Sequence, residues 1–347
     1  MRKETQPYSQ YSLVKEMCET SAVIRNFDRE AARPLSFSSD KILLTGEGSS
    51  RIFPAKRSAA LARYNGYRQS VVVEGALQAA DYELGGYHLF VASNSGKTAE
   101  GVQLLSRLSE QSNSSAKRSS SPEAIAGIVG HAETPIARMS DRSYVLRCGK
   151  EDAVAASKSV IEQALVYETL FRSAHGDEAI DLAALSEAFS EVLSTPIDPD
   201  ITGKLAASPT IYFAGRNDGV AEELTLKTNE ITRLKSDYLE GTYAVHGIEE
   251  VMQPNEVVVV VEPFKEEEQK FREVLQEGVG MSVFAVSNRK TSFPTIRIPD
   301  LDDMNPYLQL AAGWNLLVET GIRLGIDLDK PVRARKVGNE YSSEPQR

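Results

Sequence analysis

Nine short apolar runs, separated by stretches with helical spacing, limit what this 347-residue chain can fold into. The first series reads KILLTG (41–46), SVVVEG (70–75), YHLFVASN (87–94), EAIAGIVG (123–130) and SYVLRC (143–148). The second reads TIYFAG (210–215), NEVVVVVE (255–262), MSVFAVSN (281–288) and FPTIRIP (293–299). These runs are apolar along their length rather than at alternate positions, which suits strands covered on both faces. Helical stretches such as 50–64 and 97–109 fall between them, and a parallel pair needs a crossover of that kind. The expected fold class is therefore α/β, with two parallel sheets, each covered by helices on both faces.

The length accommodates two domains of ordinary size, each with its own core. We expect a helical lead over 1–34, a first domain over 35–190, a second over 191–330, and a tail over 331–347 that closes on the site. Both domains should have flavodoxin-like winding, and a long helical stretch at about 152–208 should join them. The Ser-rich QSNSSAKRSSS (111–121) reads as a surface loop that closes a helix. EPFKEEEQKFREVLQEG (262–278) reads as an amphipathic helix with a solvated acidic side.

Composition excludes several classes. With 41% hydrophobic and 25% charged residues the chain is not a disordered one. A formal charge of −10 offers no broad attraction to nucleic acid or to an anionic membrane. An anionic small molecule would need a local cradle of amides, hydroxyls and a few cations. Cys18 and Cys148 lie far apart and lack metal-ligand spacing, as expected of a reducing compartment. MRKETQPYSQ lacks the apolar core of a signal peptide, and no run approaches the roughly 20 apolar residues of a membrane span. A cytoplasmic location is expected, with neither membrane nor nucleic acid as partner.

Three loops could receive an anion, because ligands of open α/β sheets gather at the carboxyl ends of strands, beside helix N-termini. TGEGSSR (45–51) follows KILL and brings the hydroxyls of Ser49 and Ser50; it is not the dinucleotide fingerprint, for no third glycine follows. SNSGKTAE (93–100) follows HLFVA and aims Ser93, Ser95 and Thr98 at one spot, more than helix capping alone requires. The upstream glycine of a Walker loop is missing there. AVAASKS (153–159) opens a helix with Ser157 and Lys158, which capping preference alone would explain.

A fourth feature lies in GRNDGVAEELTLKTNEITRLKSDYLEGTYAVHG (215–247). After the turn signals Asn217 and Gly219, Glu223, Lys227 and Glu230 stand at i, i+4 and i+7, on one face of a helix. His246 follows sixteen residues beyond Glu230, with Gly247 after it. Such Glu/Lys spacing ordinarily decorates a solvated face. A carboxylate with an imidazole is also the usual pair for moving protons near neutral pH. His88, His131 and His175 lack partners at ligand spacing, and no metal or organic cofactor is signalled.

These motifs carry a family likeness. SNSGKTAE resembles the S-x-S-G-x-T-x-E signature of sugar isomerase (SIS) domains, with GEGSS and AVAASK at the two other positions that such domains use. Over nearly its whole length the chain is similar to the double-SIS proteins, in particular to the isomerase half of glucosamine-6-phosphate synthases. The resemblance starts at YSLVKEMCETSAVIRNF and ends at DLDKPVRARKV. It implies two SIS domains of the expected winding, and it implies that Ser49, Ser50, Ser93, Asn94, Ser95 and Thr98 contact the phosphate of a sugar phosphate. Gly48, Val154 and Ser157 would touch the sugar. Glu223, Lys227 and Glu230 fall on an E-x-x-x-K-x-x-E helix, and His246-Gly247 on a His-Gly pair. Lys336 matches a tail lysine that lies over the open sugar. In the resembling enzymes the histidine belongs to the neighbouring subunit, which implies a homodimer.

The departures bear on the reaction. These 347 residues contain no glutaminase domain, so glutamine is not expected as the direct nitrogen donor within them. Ala156 stands where the synthase pattern has a serine, and the loop at 216–222 is shorter. The resemblance implies a phosphosugar isomerase that interconverts a ketose 6-phosphate and an (amino)aldose 6-phosphate, of the glucosamine-6-phosphate deaminase type. The alternatives are a fructosamine-6-phosphate deglycase, an ammonia-dependent synthase subunit fed by a separate glutaminase chain, and a non-catalytic sugar-phosphate sensor. No cofactor is expected in any of them.

Overall fold

The structure is a computed structural model that describes residues 1, 3–112, 121–336 and 339–341. Among the described residues, ten strands form two parallel sheets. The first contains β1 (Lys41–Gly46), β2 (Ser70–Glu74), β3 (Tyr87–Ser93), β4 (Ala124–Val129) and β5 (Arg142–Val145) in the order β2-β1-β3-β4-β5. The second contains β6 (Thr210–Gly215), β7 (Lys235–Glu240), β8 (Val257–Val261), β9 (Ser282–Ser287) and β10 (Thr295–Arg297) in the order β10-β9-β8-β6-β7. Read from β7, the second order repeats the first, so both sheets are wound alike, as the apolar runs implied. Among the described residues, seven helices reach twelve residues or more: α1 (Ser12–Arg25), α2 (Ile52–Tyr64), α3 (Ala99–Ser112), α4 (Lys158–His175), α5 (Leu182–Ser194), α6 (Val220–Ile231) and α7 (Asn305–Arg323).

The chain divides into two compact units. One comprises Met1–Arg25, Glu151–Ser157 and Leu182–Ala334; the other comprises Asn26–Lys150, Lys158–Asp181 and the tail from Arg335. In the first of these, every residue of β8 is buried, and so are five of the six in β6 and in β9. Tyr212, Ala214, Val258, Val260, Val283 and Ala285 share one core cluster with Phe271, Leu275 and Phe293. The intervening strand residues are buried as well, so apolar cover exists on both faces. α7 is buried for most of its length, and α6 packs on it through Leu224. In the other unit, Leu43, Leu89, Val91 and Val129 pack with Val102, Leu105 and Ile136, while α2 packs on α4.

Two features depart from the expectations. KSDYLE forms β7, a strand at the edge of its sheet that the apolar pattern did not reveal. Exposed residues alternate with covered ones, Ser236 and Tyr238 partly and Leu239 fully buried, as an edge strand with one solvated face allows. The acidic stretch after Glu262 is helical, but it ends in a π-helical segment at Arg272–Val279 rather than as one regular α-helix. The Ser-rich loop expected at 111–121 falls mostly on 113–120, outside the described residues. Among the described residues, no helix is long and apolar enough to cross a membrane.

Candidate functional site

In the unit built on β1–β5, strand order reverses between β1 and β3, and both loops of interest leave the carboxyl ends of those strands. A Cβ on Gly46 would stand 2.7 Å from the Ala92 carbonyl, so glycine lets β1 end close against β3. Gly48, at φ +53°, starts a short 3₁₀ turn that carries Ser49 and Ser50 into α2. The Ser50 hydroxyl accepts from Gln163 Nε2 at 3.3 Å, and the Glu47 carboxylate accepts from the Ala76 amide at 2.9 Å.

β3 ends at Ser93. Its hydroxyl lies 2.8 Å from that of Thr98 and 3.4 Å from that of Ser95. The Gly96 amide donates to Ser93 Oγ and the Lys97 amide to Ser95 Oγ. Gly96 takes φ +63°, where a Cβ would also collide with Thr134. Three hydroxyls thus converge ahead of α3, where the partial positive charge of the helix end favours an anion. Asn94 adjoins them, and its carbonyl accepts from the Gly130 amide at 2.9 Å.

The tail, expected to close on the site, reaches the same loop. Thr98 and Glu340 form an antiparallel bridge. The Ala99 amide donates to the Asn339 carbonyl (3.0 Å), and the Tyr341 amide to the Lys97 carbonyl (2.8 Å). Lys97 pairs with Glu340 at 3.3 Å. Lys336, just upstream in the tail, has an exposed side chain.

In the other unit, Gly219 caps α6 at φ +88°, and Asp218 accepts from the Val220 amide. Glu223 and Lys227 are fully buried on this helix. Lys227 Nζ lies 3.3 Å from Glu223 Oε1 and 2.9 Å from Glu230 Oε2. Burial alone would pull the ammonium down; Glu230, and then Glu223, more than offset it, so that its pKa is raised and Lys227 remains charged. Only Glu230 of the three reaches solvent, with its side chain 20% exposed. The solvated-face reading of this spacing therefore fails: the helix carries a buried lysine between two carboxylates.

His246 ends a 3₁₀ turn and is exposed, and Gly247 follows at φ +106°. Val154 is half-buried. Ser157 is fully buried, and its hydroxyl and amide both go to Glu151 (3.3 and 2.7 Å), a partner that the sequence reading did not single out.

Solved structures share this fold. The C-terminal domain of glucosamine-fructose-6-phosphate aminotransferase from Francisella tularensis superposes with a TM-score of 0.73 at 18% identity, covering 94% of this chain and 100% of that one. Glucosamine-6-phosphate deaminase from Thermotoga maritima gives 0.73 at 20% identity over 94% and 99%. Tagatose-6-phosphate ketose/aldose isomerase from Escherichia coli gives 0.75 at 17% identity over 95% and 99%. At these identities the likeness is one of fold: two SIS-type α/β sheets, as the motifs implied. No protein-family profile matches the chain, and no curated protein matches it by sequence.

Proposed function

We propose that the protein is a phosphosugar isomerase that interconverts a ketose 6-phosphate and an amino-aldose 6-phosphate, releasing or fixing ammonia. The observation that carries this reading is the Glu223–Lys227–Glu230 arrangement, in which two fully buried groups hold one partly exposed carboxylate. A buried ammonium between carboxylates seldom adds net stability over an apolar replacement, so its presence favours a chemical purpose. The convergent hydroxyls before α3 support a phosphate monoester as the substrate's anionic group.

In this reading Ser49, Ser50, Ser93, Asn94, Ser95 and Thr98 bind the phosphate, and Gly48 and Val154 adjoin the sugar. His246 moves the ring-oxygen proton when the sugar opens, and would come from the partner subunit of a homodimer. Lys336 covers the open chain. Glu230 then takes the C2 proton of the amino-aldehyde and returns it to C1, while one proton of the amino group passes to O1, which converts C1 to an alcohol carbon and leaves an imine at C2. Water adds at C2, ammonia departs, and the ketose 6-phosphate remains. No step requires a metal or an organic cofactor.

The test is ammonium release from glucosamine 6-phosphate by the purified chain. Wild-type protein should release it, and Glu230→Gln should lower kcat by roughly 10²- to 10⁴-fold, the span typical of a lost general base. A wild type that neither releases ammonium nor exchanges the C1 proton of fructose 6-phosphate sinks the proposal. Cleavage of a fructosamine 6-phosphate instead would redirect it to a deglycase, and phosphosugar binding without turnover would redirect it to a sensor.

A further inference from the structure

The amino end of the first sheet carries a cavity of about 790 Å³, large enough for a small organic ligand. Arg33, Phe37, Asp40, Arg68, Thr169 and Leu170 are among the residues that line it. Asp40 immediately precedes β1, and Gln69, also in the lining, immediately precedes β2. Thr169 lies in the last two turns of α4. The Ser70 amide donates to the Asp40 carbonyl at 2.7 Å and ties the two strand starts together. Ser49 and Ser93 lie at the opposite end of the sheet, about 20 Å away along a six-residue strand. Ligands of open α/β sheets gather at that carboxyl end, so a cavity at the amino end is separate from the usual substrate position.

Thr169 is 6% exposed, and its hydroxyl has no hydrogen-bond partner among the described residues. A threonine inside a helix often donates back to the carbonyl four residues before it. Thr20, Thr225, Thr228 and Thr320 do so, at 2.7 to 3.0 Å. Thr169 does not. Gln69, equally buried in the same lining, is satisfied at both amide atoms, by Asp40 at 3.3 Å and by His175 at 2.6 Å. A buried hydroxyl left unpaired costs stability, and a bound ligand that paired with it would remove that cost.

Two guanidiniums stand on the solvent side. Arg33 pairs with Glu30 and Arg68 with Asp40, each at 3.0 Å, and all four side chains are largely exposed. Exposed pairs of this kind hold weakly, so an incoming anion can displace the carboxylates. Guanidinium forks match phosphate oxygens, and a phosphate monoester carries a charge of about −1.5 to −2, enough for both arginines. Phe37 and Leu170 supply apolar cover for the remainder of such a molecule.

We propose that this cavity is a second ligand site, which takes an organic phosphate monoester. Its phosphate pairs with Arg33 and Arg68, and its uncharged body reaches inward to hydrogen-bond with Thr169. The site depends neither on the isomerase reaction proposed above nor on the hydroxyls before α3.

The test uses 4-nitrophenyl phosphate, which joins a phosphate dianion to an apolar ring with oxygen acceptors at its far end. Binding is measured by calorimetry on the full chain carrying Ser93→Ala and Thr98→Val, so that the hydroxyls before α3 do not mask the result. One molecule should bind per chain. Adding Thr169→Val should weaken binding roughly 3- to 10-fold, as expected for one neutral hydrogen bond. Adding Arg33→Gln and Arg68→Gln should weaken it by more than about tenfold, as expected for charge-assisted bonds. 4-Nitrobenzoate, with its single charge, should bind roughly tenfold more weakly than the phosphate. In wild type, the phosphate should slow hydrogen exchange at the amides of 36–40 and 68–70, a readout that survives if the background variant fails to fold. Without ligand, Thr169→Val should melt no lower than its parent, because it keeps the shape and removes an unpaired polar group. A lower melting point would mean that the hydroxyl is already bonded, and it overturns the proposal. So do the absence of saturable binding, unchanged affinity in Thr169→Val or in the arginine variant, and exchange that does not slow at 36–40 and 68–70. Benzoate binding as tight as phosphate overturns the assignment to a phosphate ester.

Discussion

Lys227 shows how one buried charge organises its neighbours. Burial pulls the pKa of this ammonium down, and Glu230 and then Glu223 more than offset it, so that Lys227 stays charged while Glu230 keeps partial exposure. His88 is the opposite case. It is 4% exposed, stacks on Phe90 at 4.3 Å and accepts the Ser38 amide at Nδ1. Burial lowers its pKa from 6.5 to about 4, with Asp141 opposing the shift. The folded state thus binds the proton less readily than the unfolded one. Stability is complete above about pH 6.5 and declines as pH falls from there towards 4, by up to about 3 kcal/mol. Urea midpoints across that range should show the slope, and His88→Gln, which keeps an acceptor, should flatten it. A wild type with the same slope as the variant would contradict the assignment.

At the scale of elements, α6 is placed by a glycine on the helix it packs against. A Cβ on Gly313 of α7 would sit 2.2 Å from Leu224 Cδ2, so Gly313→Ala must push α6 away or force Leu224 out of its rotamer. Overpacking of this kind costs about 1–3 kcal/mol. Thermal unfolding should report that loss, and a variant as stable as wild type would show the contact to be slack. How much of such an element can be read beforehand depends on its surroundings. β8 is five valines, all buried, and its pattern admits little else. β7, KSDYLE, carries five charged or hydroxyl residues because an edge position tolerates them, so apolar counting passes over it. The helical spacing of Glu223, Lys227 and Glu230 is plain in the sequence, yet a solvated face and a buried ion cluster share that spacing. Only the packing of Leu224 against α7 shows which one is present.

Across the whole molecule, the same winding appears twice, with hydroxyls gathered at the β1/β3 reversal and the Glu–Lys–Glu helix leaving β6. If His246 serves a partner's site, as proposed, then co-expressed Glu230→Gln and His246→Ala chains should regain about a quarter of wild-type activity through mixed dimers that keep one intact site. Each variant alone should be nearly inactive, and a mixture no better than its parts would place both residues in the same chain's site. From sequence alone follow the α/β class, the parallel pairing, the loops at strand ends and the identity of the charged helix. Each rests on local periodicity or on a motif confined to a few consecutive residues. Tertiary structure alone decides that 1–25 and 151–157 pack with the second sheet and that the tail at 339–341 pairs with the loop before α3. It alone decides that Ser157 turns inward to Glu151. Those outcomes depend on where buried carboxylates and unpaired amides far apart in the chain meet, and such meetings leave no periodic trace along it.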